Sequence, residues 1–387
     1  MNLVFWWNFP CKAISGLWRE LANIDGYSVK VVCTKEMTQA RKSLGWYTPD
    51  VGKAKLQIIP KEDGHAFIDS YLKEHNSCVH VFSGIYYNKV LAYALDQSQN
   101  SNIRTAIMTE APFNQYTGLK RKLKAGYIKY IIPIRVKKYI SKSLFVMSLS
   151  GNCPEEFQRQ GWKPSQIFPF AYFSDEQRDG LSIRPMQYDK VALLCTGYIT
   201  KNKGQEVLIK ALKILMPQYG HKLRCYIAGL GPEEKRLKEL SAEAGLEGIV
   251  KFTGVVPDKE LTQIKQQSHI FVAPGFEEPW GIRINEAIQN GLPVIVSDGI
   301  RGKELVLSGA TGRVFNRGSS ESLAKAIQYY IEDTDRLNQA RVNTIQYAPK
   351  ISPREAALYF KKVIEYKTGL ITEVPGLPIW LCKSIAV

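Results

Sequence analysis

The chain has 387 residues, 45% of them hydrophobic and 23% charged, which is too long for one ordinary domain and supplies two cores of roughly 150–200 residues each. It has no low-complexity tract, which argues against a disordered chain, and no run of the ~18 uncharged apolar residues that a membrane-spanning helix needs. Its formal net charge of +16 points to an anionic partner.

The opening MNLVFWWNFP carries no basic leader and no small-residue cleavage site, so 2–7 is expected to be a first β-strand rather than a signal peptide. An amphipathic helix over 15–23 follows, then a strand at 28–34. Further strands are expected at 55–59, 78–82, 105–109 and 143–148, with helices at 66–74 and 87–96 between them. Strands alternating with helices imply βαβ units and a parallel sheet covered on both faces.

A basic stretch lies between the last two of these strands. Residues 119–142 hold nine Lys or Arg, and no acidic residue occurs from Ala111 to Pro154. Leu119, Leu123, Tyr127 and Ile131 repeat at helical spacing, with Lys120, Arg121, Lys122, Lys124 and Lys129 around the other faces, and Pro133 is expected to break the pattern. Two readings stand: a solvated helix whose apolar side enters the core, or a surface helix docking on anionic lipid. Nucleic acid is a rival source of negative charge, but no DNA- or RNA-binding motif is present.

The second half repeats the alternation. Strands are expected at 190–196, 223–228, 250–253, 269–273 and 293–297, and helices at 204–215, 232–244, 259–267, 282–289 and 320–331. Five strands with intervening helices make a doubly wound, Rossmann-like domain, whose ligands sit at the carboxyl ends of the strands beside helix N-termini. The junction is expected in the irregular segment 168–189, with Pro169 and Pro185, so the domains are taken as 1–170, 171–350 and a C-terminal helix and tail at 351–387 that returns to the first domain. The seven cysteines are scattered singly in apolar surroundings, which reads as reduced core thiols and not as a zinc site or disulfide framework.

Chemistry gathers at three strand ends of this half. Gly197-Tyr198-Ile199-Thr200-Lys201-Asn202-Lys203-Gly204 places a glycine after a strand and a lysine at a helix start, a combination suited to phosphate. Ala228-Gly229-Leu230-Gly231-Pro232 is a glycine turn into a helix begun by proline. The third segment runs from Ala273 to Val294 and carries Glu278 in a loop and Glu286 on the next helix, with seven residues between them. A helix-borne carboxylate can accept both vicinal hydroxyls of a ribose, a second in the preceding loop can orient a sugar, and free amides near Gly281 can face a diphosphate. Asp333-Thr334-Asp335 looks like a metal-binding D-x-D, but its place between two helices makes it a helix cap.

These segments resemble the retaining glycosyltransferases of family 4, of the bacterial surface-polysaccharide kind. The matching residues are Glu278-Pro279-Trp280-Gly281, Glu286-Ala287, Gly291-Leu292-Pro293-Val294-Ile295, the Gly197–Gly204 loop, Ala228–Pro232 and Phe252-Thr253-Gly254, in order over about Val191–Ile331. The resemblance implies a GT-B fold, two Rossmann-like doubly wound domains facing across a cleft. It implies a retaining hexosyltransferase taking a UDP- or GDP-sugar to a saccharide or lipid-linked saccharide acceptor in polysaccharide or lipopolysaccharide synthesis. No metal and no resident cofactor are expected, and the enzyme would work in the cytoplasm, attached peripherally to the inner face of the membrane through 119–142. By the same resemblance Lys203 contacts the donor diphosphate, Glu286 the ribose, and Glu278 with the Gly281 backbone the sugar, with Gly197, Gly229 and Gly254 lining the donor site; Lys201 or Arg301 is the candidate to replace the charge missing at Tyr198. Glu110 is a catalytic candidate, as acceptor ligand or base, against the alternative of an ordinary strand-end carboxylate, and Ser15 and Gly16 are the candidates toward the acceptor and diphosphate. Two departures stand out: Tyr198 replaces the arginine usual after the first glycine, and Met108-Thr109-Glu110 stands where many members carry a histidine. A sugar-nucleotide 2-epimerase and a non-catalytic binding relative are the alternatives of other classes.

Overall fold

The computed structural model describes residues 1–42, 47–84, 88–114, 116, 118–174, 189–306 and 310–382. Two compact units divide the chain: Met1–Asp175 joined by Ser352–Cys382, and Glu176–Ile351. Tyr87 of the expected third helix, Pro185 of the expected junction and Lys383 of the tail lie outside the described residues.

The first unit contains β1 (Asn2–Trp7), β2 (Ser28–Cys33), β3 (Lys55–Ile58), β4 (Val79–Phe82), β5 (Thr105–Thr109), β6 (Ser143–Ser148) and β7 (Ile167–Pro169). They pair in parallel in the order β3-β2-β1-β4-β5-β6-β7. Val4, Phe5 and Trp6 are successive residues of β1, and all three are buried. A strand covered on both faces must be apolar throughout, which is why β1 reads as a continuous run and not an alternation. Trp6 stacks on Phe82 at 5.6 Å and meets the edge of Tyr71 at 5.7 Å, joining β1, β4 and the helix Gly64–Glu74. On the other face the helix Pro353–Lys367 packs on the helix Lys12–Ala22, with Phe360 against Phe5 at 5.5 Å.

The second unit contains β8 (Val191–Thr196), β9 (Leu223–Ala228), β10 (Val250–Gly254), β11 (Ile270–Ala273), β12 (Val294–Ser297) and β13 (Gly312–Phe315), parallel in the order β10-β9-β8-β11-β12-β13. The helices Gln205–Tyr219 and Ser320–Ile331 pack together beneath it through Leu208, Leu212, Leu323 and Ile327. In each unit strand order reverses beside the first strand, between β1 and β4 and between β8 and β11. In doubly wound sheets that reversal opens the crevice where ligands bind.

Several sequence expectations need correction. Two strands go beyond those expected: β7, three residues ending in proline, and β13, which makes six strands in the second unit where five were expected. Both are edge strands with partly exposed residues, so their hydrophobic signal is weak. The first helix begins at Lys12 with Cys11 as its cap, three residues before the expected start at Ser15. Pro133 does not break the basic helix. It lies just past a π-helical turn at Tyr127–Ile131, and helical backbone runs on from Gly118–Gly126 through that turn into Ile132–Ile140. Asp333 is a cap: its carboxylate accepts from the amides of Asp335 (3.1 Å) and Arg336 (3.2 Å) and pairs with the Arg336 guanidinium at 2.8 Å.

Candidate functional site

The strand reversal of the second unit brings two loops together, the one after β8 and the one after β11. Lys203 ends the first loop, in the 3₁₀ turn Lys201–Lys203, and Glu278 lies in the second. Lys203 Nζ stands 2.9 Å from Glu278 Oε2, a contact between residues 75 positions apart that only this topology creates. Backbone bonds hold the loops in register. Phe276 N donates to Asn202 O at 2.8 Å, and the Asn202 side chain donates back to Glu277 O at 2.9 Å.

Glycine is required where these loops meet. Gly204 has a φ of +70°, and a Cβ there would overlap the Pro274 carbonyl. Gly229, at φ +139°, would place a Cβ against the Gly197 carbonyl. Any side chain at either position would push apart the strand ends that form the floor of the site. Gly197, Gly229 and Gly254 follow or end the three adjacent strands β8, β9 and β10, bonded in series by Gly197 N to Ala228 O (2.9 Å) and Gly229 N to Gly254 O (2.8 Å).

The Glu278 loop is stitched from its other side to the loop after β12. Ser297 Oγ donates to Gly275 O at 2.5 Å, Glu278 N to Gly299 O at 3.3 Å, and Arg301 N to Glu278 O at 3.3 Å. Arg301 thus stands directly behind the Glu278 backbone. Trp280 is buried and its indole donates to Asn285 Oδ1 at 2.8 Å, which anchors the loop to the start of the helix Arg283–Gln289. Gly281, with positive φ, makes the turn between them. Glu286 lies on that helix at 2% exposure, its carboxylate 2.6 Å from the Arg283 guanidinium.

The site also contains residues that sequence reasoning passed over. Asn202 and Ser297 bond backbone carbonyls of neighbouring loops, a role no motif announces. Arg283 had a signal: it precedes Glu286 by three, the spacing at which helical side chains meet. Tyr198, in the place of the usual arginine, is 52% exposed, so it is not a packing residue of the core.

The remaining candidates belong to the first unit. Ser15 and Gly16 are buried inside the first helix, Ser15 N already bonded to Cys11 O at 3.2 Å. They are not at the helix start, because the helix begins three residues earlier. Ser15 Oγ has no hydrogen-bond partner among the described residues. Glu110 follows β5 and accepts from the Tyr172 hydroxyl at 3.0 Å. Burial first, and then the Glu110 carboxylate, push the Tyr172 phenol well above its ordinary range, so Tyr172 is a fixed donor to Glu110. Among the described residues, no three His, Cys, Asp or Glu side chains gather as a metal-ligand set.

The chain is similar to known proteins in sequence and in fold. Residues 183–351 match the family described as glycosyl transferases group 1. A D-inositol 3-phosphate glycosyltransferase of Corynebacterium aurimucosum is 28% identical over 185 residues, 46% of this chain and 43% of that protein. A lipopolysaccharide core biosynthesis mannosyltransferase, LpcC of Rhizobium leguminosarum, is 30% identical over 144 residues, 36% of this chain and 40% of its own length. The matched region therefore spans less than half the length of these curated relatives. Among solved structures, Anabaena HepE in complex with UDP aligns over 94% of this chain and 100% of its own, with a TM-score of 0.70 at 16% identity. That likeness is one of fold: two parallel-sheet α/β domains, as in GT-B glycosyltransferases. Over residues 183–351 the chain is thus similar to the glycosyl transferases of group 1, and its fold is that of the two-domain GT-B structures.

Proposed function

We propose that this chain is a retaining glycosyltransferase that moves a hexosyl unit from a nucleotide-diphosphate sugar to a saccharide or lipid-linked saccharide acceptor in surface-polysaccharide assembly. One observation carries the reading: Lys203 and Glu278 meet at 2.9 Å at the strand reversal, with the buried Glu286 on the helix that follows. A cation beside a carboxylate suits a ligand that is anionic at one end and bears hydroxyls at the other. The crystallised HepE is named as binding UDP and UDP-glucose, and relatives are named for lipopolysaccharide and amylovoran synthesis. These names favour a nucleotide sugar as donor and a glycan as acceptor.

In this reading Glu286 accepts the two ribose hydroxyls and Glu278 a hydroxyl of the sugar. Lys203 and the amides around Gly281 face the diphosphate, with Arg301 close behind the Glu278 loop. The bond from the anomeric carbon to the diphosphate oxygen breaks as the acceptor oxygen bonds to that carbon on the same face, and the acceptor proton passes to the departing phosphate. Lys203 neutralises the charge that develops on the leaving group, so the reaction runs without a divalent ion. The protein contributes position and charge.

The test is a panel of UDP- and GDP-sugars, scored first by thermal stabilisation and then by transfer to glycan acceptors in EDTA, with product configuration read by NMR. The expected result is stabilisation by one nucleotide class and EDTA-resistant transfer with retention. Activity lost in EDTA and restored by magnesium or manganese would overturn the metal-free mechanism. Release of a free epimerised sugar without any acceptor would replace transfer with 2-epimerase chemistry.

A further inference from the structure

We infer that the first unit carries a lipid-docking face on the outer side of the helical segment 118–140, and that its occupant is a bilayer surface rich in anionic phospholipid. The segment consists of Gly118–Gly126, the π turn Tyr127–Ile131 and Ile132–Ile140, joined without a break because Gly126, Ile131 and Ile132 all keep right-handed helical backbone. Its inner side is conventional: Ile132, Val136, Tyr139 and Ile140 are buried in the core. Its outer side is not. Leu119 and Ile134 are each 73% exposed, Leu123 67% and Tyr130 60%, and no residue of Gly118–Gly126 is buried. A helix that turns leucine and isoleucine to solvent is unsatisfied unless something apolar covers them.

The spacing makes a stripe of these residues. Leu119 and Leu123 are four apart, and Ile131 and Ile134 are three apart, both on one face of a helix. Leu123 and Ile131 are eight apart, about one more than two ordinary turns, and the π turn between them absorbs the extra residue. The first half of the stripe, the Tyr130–Ile131 pair and Ile134 thereby share a side opposite the buried residues.

The charge around the stripe identifies what covers it. Residues 118–142 hold nine Lys or Arg and no Asp or Glu. Several of the nine have partners inside the unit: Arg121 the Asn114 carbonyl at 3.3 Å, Lys138 Asp96 at 2.6 Å, Lys142 the Gln99 carbonyl at 3.3 Å, Arg135 the Tyr127 hydroxyl at 2.7 Å, and Lys124 the Tyr127 ring at 5.2 Å. Lys120, Lys122, Lys129, Arg135 and Lys137 are exposed around the stripe. Aliphatic side chains need an acyl boundary, tyrosine suits the headgroup zone, and lysine suits phosphate, and an anionic bilayer offers all three in that depth order. The backbone of a nucleic acid offers the aliphatic residues nothing. Each cation near an anionic surface strengthens partitioning by about fivefold, so a few acting together give firm but reversible attachment.

The test is co-sedimentation of the full chain with phosphatidylcholine vesicles, alone or mixed with phosphatidylglycerol, at low and high salt. Two variants separate the contributions: Lys120→Glu/Lys122→Glu/Lys129→Glu, and Leu119→Ser/Leu123→Ser/Ile134→Ser. All six side chains are exposed, so circular dichroism should match wild type. Expected are binding to mixed vesicles and not to neutral ones, a loss of at least tenfold in the charge variant, and in the aliphatic variant loss of whatever binding survives high salt. Equal binding to neutral and anionic vesicles, or wild-type binding by both variants, would overturn the inference. So would binding to heparin or polyuridine with none to vesicles, which would make the face a polyanion site. None of these readouts uses glycosyl transfer, so failure here leaves the proposed reaction untouched, and the reverse also holds.

Discussion

Glu286 shows what a single residue in this site must do. A carboxylate at 2% exposure is costly unless paired, and Arg283 at 2.6 Å pairs it. Lys203, half exposed and held by Glu278, is placed to act on charge that develops during reaction. The two residues therefore should fail differently when removed. Lys203→Ala loses a contact to the leaving group and should lower kcat by about 10²–10³-fold, or roughly 2.7–4 kcal/mol. Glu286→Ala loses a charged hydrogen bond to bound donor, about 1.5–3 kcal/mol, and should mainly raise the donor KM. Steady-state kinetics with circular dichroism as the folding control decide it, and near-normal constants in both variants would remove these residues from the donor site. Lys203, Glu278 and Glu286 were legible in the sequence because glycines and strand ends frame them. Ser15 and Gly16 were misplaced because Cys11 caps the first helix without a side-chain bond, so nothing in the sequence marked its start. The Glu110–Tyr172 pair joins the ends of β5 and β7, and with β7 unread Tyr172 had no place beside Glu110.

Elements were legible in proportion to their burial. β1, β5, β6 and β9 fall at their expected limits because each is a run of mostly buried β-branched, aromatic or aliphatic residues. The misses, β7 and β13, are short edges, where pairing and not hydrophobicity makes the strand. A buried histidine on β4 and a partly buried one beside β11 give the fold a testable pH dependence. His80, on β4, accepts from the Trp6 indole at 3.0 Å, so its other nitrogen donates to the His75 carbonyl at 2.9 Å. His269, just before β11, accepts from Ala192 N at 3.0 Å. Burial lowers each to about 4, opposed at His80 by the bond to the His75 carbonyl and reinforced at His269 by the Arg341 charge. An unfolded chain protonates these rings near pH 6.5 and the folded chain does not, so between 6.5 and 4 the unfolded state binds more protons and stability falls as pH falls. Each ring contributes up to about 3 kcal/mol across that window. The melting temperature should drop steeply on acidification from pH 6.5 toward 4, and His269→Gln should flatten the slope for the second unit. Parallel slopes in wild type and variant would show that the ring is protonated in the fold.

At the scale of the whole molecule, the informative feature is that the first unit is not one continuous stretch of chain. Residues 352–382 follow the second unit in sequence but complete the core of the first. The helix Pro353–Lys367 covers Lys12–Ala22, and the Tyr27 hydroxyl reaches Glu365 at 2.9 Å. Beyond it Trp380, fully buried, sits among Phe173 (4.6 Å), Tyr359 (5.5 Å) and Phe170 (5.8 Å). Burying an aromatic of this size is worth about 3–5 kcal/mol against alanine, and a domain's whole stability is about 5–15 kcal/mol. Phe360→Ala with Trp380→Ala should therefore remove most of the first unit's stability, and a chain ending at residue 351 should not fold that unit at all. The second unit has its own sheet and its own core, with Leu208, Leu212, Leu323 and Ile327 inside it and none of the deleted residues. Calorimetry should show the wild type's two contributions reduced to one in the shortened chain, with the surviving transition still raised by the nucleotide that stabilises the full protein. A shortened chain that kept both transitions would mean the first sheet closes its core without the returning helix. Loss of both would mean the second unit depends on the first, and the nucleotide response of the remaining protein separates that case from simple aggregation.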